Sequence, residues 1–254
     1  MAIGRKRFQG VANIVRFNWH FYVLALVSLT VLLLFKSFLP HALHPFITTG
    51  VIVVCGVMII SLFVSFYIYD LSGLYRLEWL DPYINKVDTK ILNINAGFDE
   101  SSLLIKHRFS QVDLSMGDFY DPVKHTEISI KRARQVYPKL PGTLFIQSDK
   151  LPFSENTFDL CLAIMSAHEI RDKEERIQFF KELNRVSRSS GLVIVLEHLR
   201  DLNNFLAYTL GFFHFYSRKT WLTTFKQAGL SLKSERKLTP FLSLFILEAN
   251  GTKY

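Results

Sequence analysis

Apolar positions along this chain fall into two regimes. Near the N-terminus they form two unbroken runs; beyond residue 89 short apolar segments alternate with amphipathic ones. Residues 17–39 are apolar apart from the first turn and Lys36, and residues 47–69 carry no charge. Each run is long enough for a bilayer core that needs about 20 apolar residues. Neither has the polar face that a soluble surface helix keeps. Trp19, Tyr22, Tyr67 and Tyr69 lie near the ends, where aromatic belts form. The turn "PHALHP", residues 40–45, joins the runs into a predicted hairpin of two transmembrane helices. Residues 1–69 are therefore expected to be a membrane anchor and 70–89 a juxtamembrane linker. Within the linker, Leu74, Leu77 and Leu80 with Tyr75 and Trp79 make an amphipathic stretch, destined either for the membrane interface or for the first strand of the following domain.

From residue 90 to 254 the pattern predicts an α/β domain. Strands are expected at 90–94, 111–119, 143–147, 158–165, 192–196, 231–238 and 242–249, and helices at 101–108, 127–136, 173–186 and 220–228. "FDLCLAIM" and "LVIVL" are continuous apolar runs, as in strands buried on both faces. Ser189-Ser190-Gly191 reads as the stop of one helix, with Gly191 as its cap, and Gly229 as the stop of the next. Such alternation predicts a doubly wound, mostly parallel sheet closed by an antiparallel pair. Ligands bind such sheets at the carboxyl ends of the strands, near the topological switch point.

Charge refines this picture. Thirty Lys and Arg against 22 Asp and Glu give a net +8. The basic residues form no tract, so nucleic acid is not expected as a partner, and an anionic membrane surface fits better. Arg5, Lys6, Arg7 and Arg16 precede the first run, and Arg76 and Lys86 follow the second. The positive-inside rule then places both termini and the domain in the cytosol. Cys55 and Cys161 stand far apart in apolar runs and predict no disulfide, and no Cys/His spacing predicts a metal site.

The segment "LPFSENTFDLCLAIMSAHEI", residues 151–170, followed by "FFKELNRVSRSSGLVIVLEHLRD", residues 179–201, resembles the middle of class I S-adenosylmethionine-dependent methyltransferases of the type 11 kind. The resemblance spans roughly residues 90–248. It implies a seven-stranded, Rossmann-like methyltransferase fold preceded by the two transmembrane helices, and S-adenosyl-L-methionine as cofactor. The family's first loop, an acid followed by three alternating glycines, falls on "NINAGFD", residues 93–99. Only Gly97 matches; Asn93, Asn95 and Asp99 depart from the pattern.

The resemblance assigns Asn95, Ala96, Gly97 and Asp99 to the cofactor loop. Asp118 becomes the ribose ligand, with Asp121 as the alternative, and Asp149 and Leu151 border the adenine. Each has a plainer alternative: a capped turn at 95–101, an N-cap at Asp121 before Pro122, core packing for Leu151. His168 and Glu169 follow the fourth strand, where the resemblance places the methyl group, and are the candidate catalytic pair. Packing against the cofactor loop is the alternative for His168. After the fifth strand, His198 and Arg200 are candidates to hold a polar part of the acceptor, or members of an internal ion pair. "FLAYTLGFFHF", residues 205–215, reads as a helix or lid whose Tyr208 and His214 line a greasy acceptor pocket, or as an ordinary core helix.

The leading expectation is a membrane-anchored methyltransferase acting on a small lipophilic acceptor beside the bilayer. A catalytically inactive, methyltransferase-like membrane scaffold is the alternative, favoured by the altered first loop. A nicotinamide-dependent oxidoreductase lacks its G-x-G-x-x-G signature.

Overall fold

The computed structural model describes residues 5–84, 87–125 and 127–250. Lys86, used above for the topology expectation, lies outside them. Three helices come first: α1 (Gln9–Phe17), α2 (Trp19–Phe35) and α3 (His44–Phe66). Two helical stretches, Trp19–Phe38 and His41–Arg76, are long and apolar enough to cross a membrane by length and composition. The first buries none of its most apolar window and the second 17%.

The rest is a seven-stranded sheet with helices on both faces. Its strands are β1 (Lys90–Asn95), β2 (Asp113–Asp118), β3 (Leu144–Phe145), β4 (Phe158–Ile164), β5 (Ser187–His198), β6 (Leu230–Thr239) and β7 (Leu242–Ala249). The spatial order is β3-β2-β1-β4-β5-β7-β6. The first five are parallel, and β7 runs antiparallel between β5 and β6. The order reverses between β1 and β4, which puts the switch point beside the end of β1. The helices are α4 (Ser102–Arg108), α5 (Ile128–Val136), α6 (Lys173–Val186), α7 (Leu202–Tyr208) and α8 (Arg218–Gln227).

Two sequence expectations shift. The third strand is only two residues long, followed by an isolated bridge between Gln147 and Lys150. Gly191 is not a helix cap: α6 ends at Val186 because Ser187 is already extended and pairs with Phe158, so Gly191 lies inside β5. Gly229 does end α8, in the left-handed region at φ +76°.

The sheet carries a core on each face. One packs Phe179, Phe180, Leu183, Trp221 and Phe225 of α6 and α8 against Cys161, Val193, Val195 and Phe245. The other is built largely by the segment that follows α3. Ile68, Leu74, Leu77, Trp79 and Leu80 pack on Ile91, Leu160, Leu162, Ile194, Leu196, Leu244 and Ile246. Of the two fates left open for residues 70–82, the structure shows the second: they cover the sheet. Trp79 finds its polar partner by donating its indole N–H to the Leu74 carbonyl at 2.9 Å.

The junction with the apolar helices is equally fixed. The backbone continues from α3 through a wide turn, Tyr67–Leu71. Asp70 accepts from the backbone N–H groups of Gly10 and Val11, both at 2.8 Å, and so satisfies the N-terminus of α1. Gly10 permits this contact: a Cβ there would lie 2.4 Å from the Tyr69 Cβ. Helix α1 then rests on α5 and the end of β1. Phe17 packs edge-on against Phe98 and Tyr137, and Asn13 accepts from the Tyr137 hydroxyl at 3.0 Å.

Candidate functional site

Two groups of polar side chains meet at the carboxyl edge of the sheet. The first belongs to β1 and β2, where Asn95 and Asp118 stand side by side in register. Asn95 donates to the Gly117 carbonyl and accepts from the Gly97 N–H, stapling the end of β1 to β2 and starting the turn. Gly97 sits at φ +98°, where only glycine is unstrained. Ala96 is buried behind it. Asp99 accepts from the N–H groups of Ser101 and Ser102, while its other oxygen, Oδ2, is buried without a partner. Asn93, where the resemblance expects an acid, donates to both Ser101 and Ser102 hydroxyls and ties β1 to α4. Its amide does structural work at that position.

Asp118 is 2% exposed. One carboxylate oxygen accepts from the Tyr120 N–H at 2.9 Å, the other from the Arg134 guanidinium at 2.7 Å. Arg134 also donates to the Gly97 carbonyl and lies over the Tyr120 ring. Asp121 accepts from the Val123 N–H and serves its own turn, so of the two candidates Asp118 is the one beside the loop. Asp149 does not join this group: it is exposed and borders a surface depression with Lys124, Glu174 and Glu175. Leu151 packs in the core, its N–H donating to Glu182.

The second group belongs to β4 and β5. Ser166 donates to the Ile94 carbonyl and fixes the end of β4 to β1. Just before it Met165 is held at φ +48°, a strained conformation of the kind that gathers at functional sites. A single helical turn, Ala167–Glu169, follows. His168 Nδ1 lies 2.6 Å from Glu197, which is fully buried at the end of β5, and Nε2 lies 3.1 Å from Glu169. Burial opposes a charge on His168, but Glu197 and Glu169 outweigh it and carry its pKa up to about 10. Burial likewise opposes the Glu169 carboxylate; the His168 and His214 partners win and hold its pKa well below the usual range.

His214 joins from the aromatic segment. That segment is not one helix: α7 ends at Tyr208, Thr209 turns sharply at φ +44°, and a tight helix, Thr209–His214, completes it. Arg200 donates to the Phe213 carbonyl and so braces this turn. Tyr208 packs edge-on against His198.

His198, expected near the acceptor, lies in the interior with both ring nitrogens engaged. The Asn204 amide nitrogen donates to Asp201 and to the Phe241 carbonyl, so the Asn204 oxygen must accept from His198 Nδ1–H. Nε2 therefore accepts from the Tyr69 hydroxyl at 3.0 Å. Burial dominates here and pulls the His198 pKa down to about 4. The folded pKa is below the unfolded value of about 6.5, so the stabilisation is present above pH 6.5 and lost as pH falls through 4. The expected loss is on the order of 3 kcal/mol. Thermal melts of the parent and His198→Gln across this window check it. If the two acid limbs superimpose, another group is responsible.

The strand order is that of an α/β domain of the class I methyltransferase type. The family model "Methyltransferase domain" matches residues 122–195. A S-adenosylmethionine-dependent methyltransferase from Aquifex aeolicus is similar in structure at 15% identity, over 71% of this chain and 94% of that one, with a TM-score of 0.50. Geranyl diphosphate C-methyltransferase from Streptomyces coelicolor A3(2), in complex with Mg2+, geranyl diphosphate and S-adenosyl-L-homocysteine, is similar at 11% identity, over 74% and 82%, with a TM-score of 0.51. No curated protein sequence matches the chain. The fold of the C-terminal domain is thus that of class I S-adenosylmethionine-dependent methyltransferases, and residues 122–195 within it match the methyltransferase-domain model.

S-adenosylmethionine is the cofactor of that class, and the loop fits it in part. Gly97 supplies a left-handed turn whose free side is filled by Arg134 and Tyr120, Asp118 stands at the right strand end, and the Asp99 Oδ2 lacks a partner. The Arg134 guanidinium occupies the carboxylate that would hold the ribose diol and must swing aside. Sequence patterning gave no sign of this role, because Arg134 is one of several basic residues in "EISIKRARQV".

Proposed function

We propose that the chain is a membrane-anchored, S-adenosylmethionine-dependent methyltransferase that acts on a small lipophilic acceptor at the bilayer surface. The observation that carries this reading is the continuity between the site and the apolar helices. The segment that delivers His214 also exposes Phe205, Leu206, Leu210 and Phe213, and its Tyr208 ring lies beside His198, whose other face meets Tyr69 at the end of α3. An acceptor dissolved in the bilayer would meet this apolar surface first. A protein of this fold holds geranyl diphosphate together with S-adenosyl-L-homocysteine, so the fold accommodates an acceptor of that character.

When bound, the cofactor supplies an electrophilic methyl group. In this reading the chain's own residues position it: the backbone of Asn95, Ala96 and Gly97 lies against it and Asp118 takes its ribose hydroxyls. His168 and Glu169 face the acceptor. Helix α1 covers the loop and excludes water, and most of the rate enhancement comes from holding two partners in line. In this reading the domain lies on the cytosolic side, which the basic residues flanking the apolar runs support.

A scaffold without activity is the second reading, and one observation favours it: the Arg134–Asp118 pair already satisfies the expected ribose ligand. Calorimetry of the full chain in detergent micelles, with S-adenosylmethionine and S-adenosylhomocysteine, separates the two. Binding of either that Asp118→Ala weakens at least about tenfold, the loss of one net hydrogen bond to a charged group, is expected. A folded chain that binds neither overturns the enzyme in favour of the scaffold. Orientation is read from a C-terminal tag, which protease should reach in inverted vesicles and not in right-side-out ones.

A further inference from the structure

We propose that His168, Glu169 and His214 form a binding site for a divalent transition-metal ion at the carboxyl edge of the sheet. The three residues come from two separate elements, and the ligand atoms they offer all lie within 4.8 Å of one another. What singles them out is how the two rings are held. His168 Nδ1 is taken by Glu197 at 2.6 Å, and His214 Nδ1 lies 2.7 Å from Glu127. A carboxylate on Nδ1 fixes an N–H there and leaves Nε2 as the ligand atom; a metal ion would displace the proton that His168 Nε2 shares with Glu169 and the Arg171 N–H that lies 2.6 Å from His214 Nε2. The two Nε2 atoms converge on one oxygen, Glu169 Oε1, at 3.1 Å and 3.5 Å. Two histidines, each oriented by a carboxylate behind it, with a third carboxylate between their free nitrogens, is the outer-shell arrangement that metal-ligating histidines use.

The support behind the ligands is unusually firm. Glu197 is fully buried and its second oxygen also accepts from the His168 backbone N–H at 3.2 Å. Two strained residues, Met165 and Thr209, set the turns that bring His168 and His214 together.

Two imidazoles and one carboxylate select a borderline divalent ion such as Zn2+, Co2+, Fe2+ or Mn2+ over Mg2+ or Ca2+, which favour all-oxygen shells. Three protein ligands leave positions open to an oxygen of water or of a substrate. Arg171 is the competitor. Its Nη2 contacts both ring nitrogens of His214, its Nη1 donates to the His214 carbonyl at 2.7 Å, and it lies 3.6 Å from Glu127; a metal ion would have to displace this guanidinium, whose side chain is 41% exposed. No sequence spacing announces the site, since 45 residues separate His214 from Glu169.

The test is titration of the full chain in detergent with Co2+ alone, read by visible absorption, then competition with Zn2+. A tetrahedral or five-coordinate Co2+ spectrum displaced by Zn2+ is expected. Glu197→Gln, which keeps the shape but not the charge behind His168, should weaken affinity roughly 10–100-fold. His214→Ala, at a side chain that is 25% exposed, should weaken it at least as much. Arg171→Ala should tighten it. No Co2+ spectrum in the folded parent, or a spectrum that His214→Ala leaves untouched, overturns the site. Metal binding without any binding of S-adenosylhomocysteine would overturn the enzymatic reading and leave the metal site standing; the converse result would do the opposite.

Discussion

A chain that begins at Thr89 is expected not to fold into a stable domain, although it contains every strand of the methyltransferase sheet. The truncation strips Leu74, Leu77, Trp79 and Leu80 from one face of β1, β4, β5 and β7, where each is at most 6% exposed. Burying such side chains contributes about 1.5–3 kcal/mol apiece. The combined loss, on the order of 6–12 kcal/mol, is comparable to the whole stability of an ordinary domain. Removing Tyr69 also leaves the buried Nε2 of His198 without a donor. Circular dichroism and thermal melting of residues 89–254 check this. A cooperative melt within a few degrees of the full chain would show that the juxtamembrane segment is a mere cover. Leu80→Ala in the full chain gives the graded version, with an expected cost of about 2–5 kcal/mol.

The second large effect is expected from Gly97→Val. At φ +98° a β-branched residue is strained by about 1–3 kcal/mol. Its Cβ would also lie 3.0 Å from the Tyr120 Cβ and 2.9 Å from the Arg134 guanidinium. The arginine can yield; the tyrosine Cβ cannot without moving the end of β2. Overpacking of that kind costs a further 1–3 kcal/mol or so. The melting temperature should fall by roughly 10 °C, and binding of S-adenosylhomocysteine should be lost. A variant that melts like the parent and binds the ligand equally well would show that the turn is not built as described.

Much of the fold could be read from the sequence for a physical reason. "FDLCLAIM" and "LVIVL" are strands buried on both faces, and runs of eight and five residues are too short for a buried helix. The closing antiparallel pair, expected at 231–238 and 242–249, is β6 and β7. What sequence missed depended on tertiary contacts. Residues 5–16 read only as a basic flank, yet α1 caps itself on Asp70, a partnership across about sixty positions, and packs Phe17 on Phe98 of the candidate loop. Ser189-Ser190-Gly191 carried the composition of a helix stop, but pairing of Ser187 with Phe158 overrode it.

For the candidate site, sequence brought single positions into view but not their pairings. Asn95, Gly97 and Asp118 fall together at the end of β1 and β2, and His168 and Glu169 at the end of β4. Asp149 and Leu151 stand apart, one exposed and one in the core. His198 reads as a polar residue near an edge, and only the structure shows Tyr69 and Asn204 closing over it. Arg134 and Glu127, which engage Asp118 and His214, share no local signal with their partners. Neither does the convergence of the two histidines on Glu169.

The rigid junction at Ile68–Asp70 has a consequence for kinetics. With the apolar helices embedded as proposed, the domain cannot tumble on a tether, because Ile68 is in its core and Tyr69 holds His198. The reacting edge then stays at one height and one tilt above the lipid. Encounter becomes a two-dimensional search by lateral diffusion. Turnover should follow the mole fraction of acceptor in the membrane and stay indifferent to the total amount of lipid at fixed mole fraction.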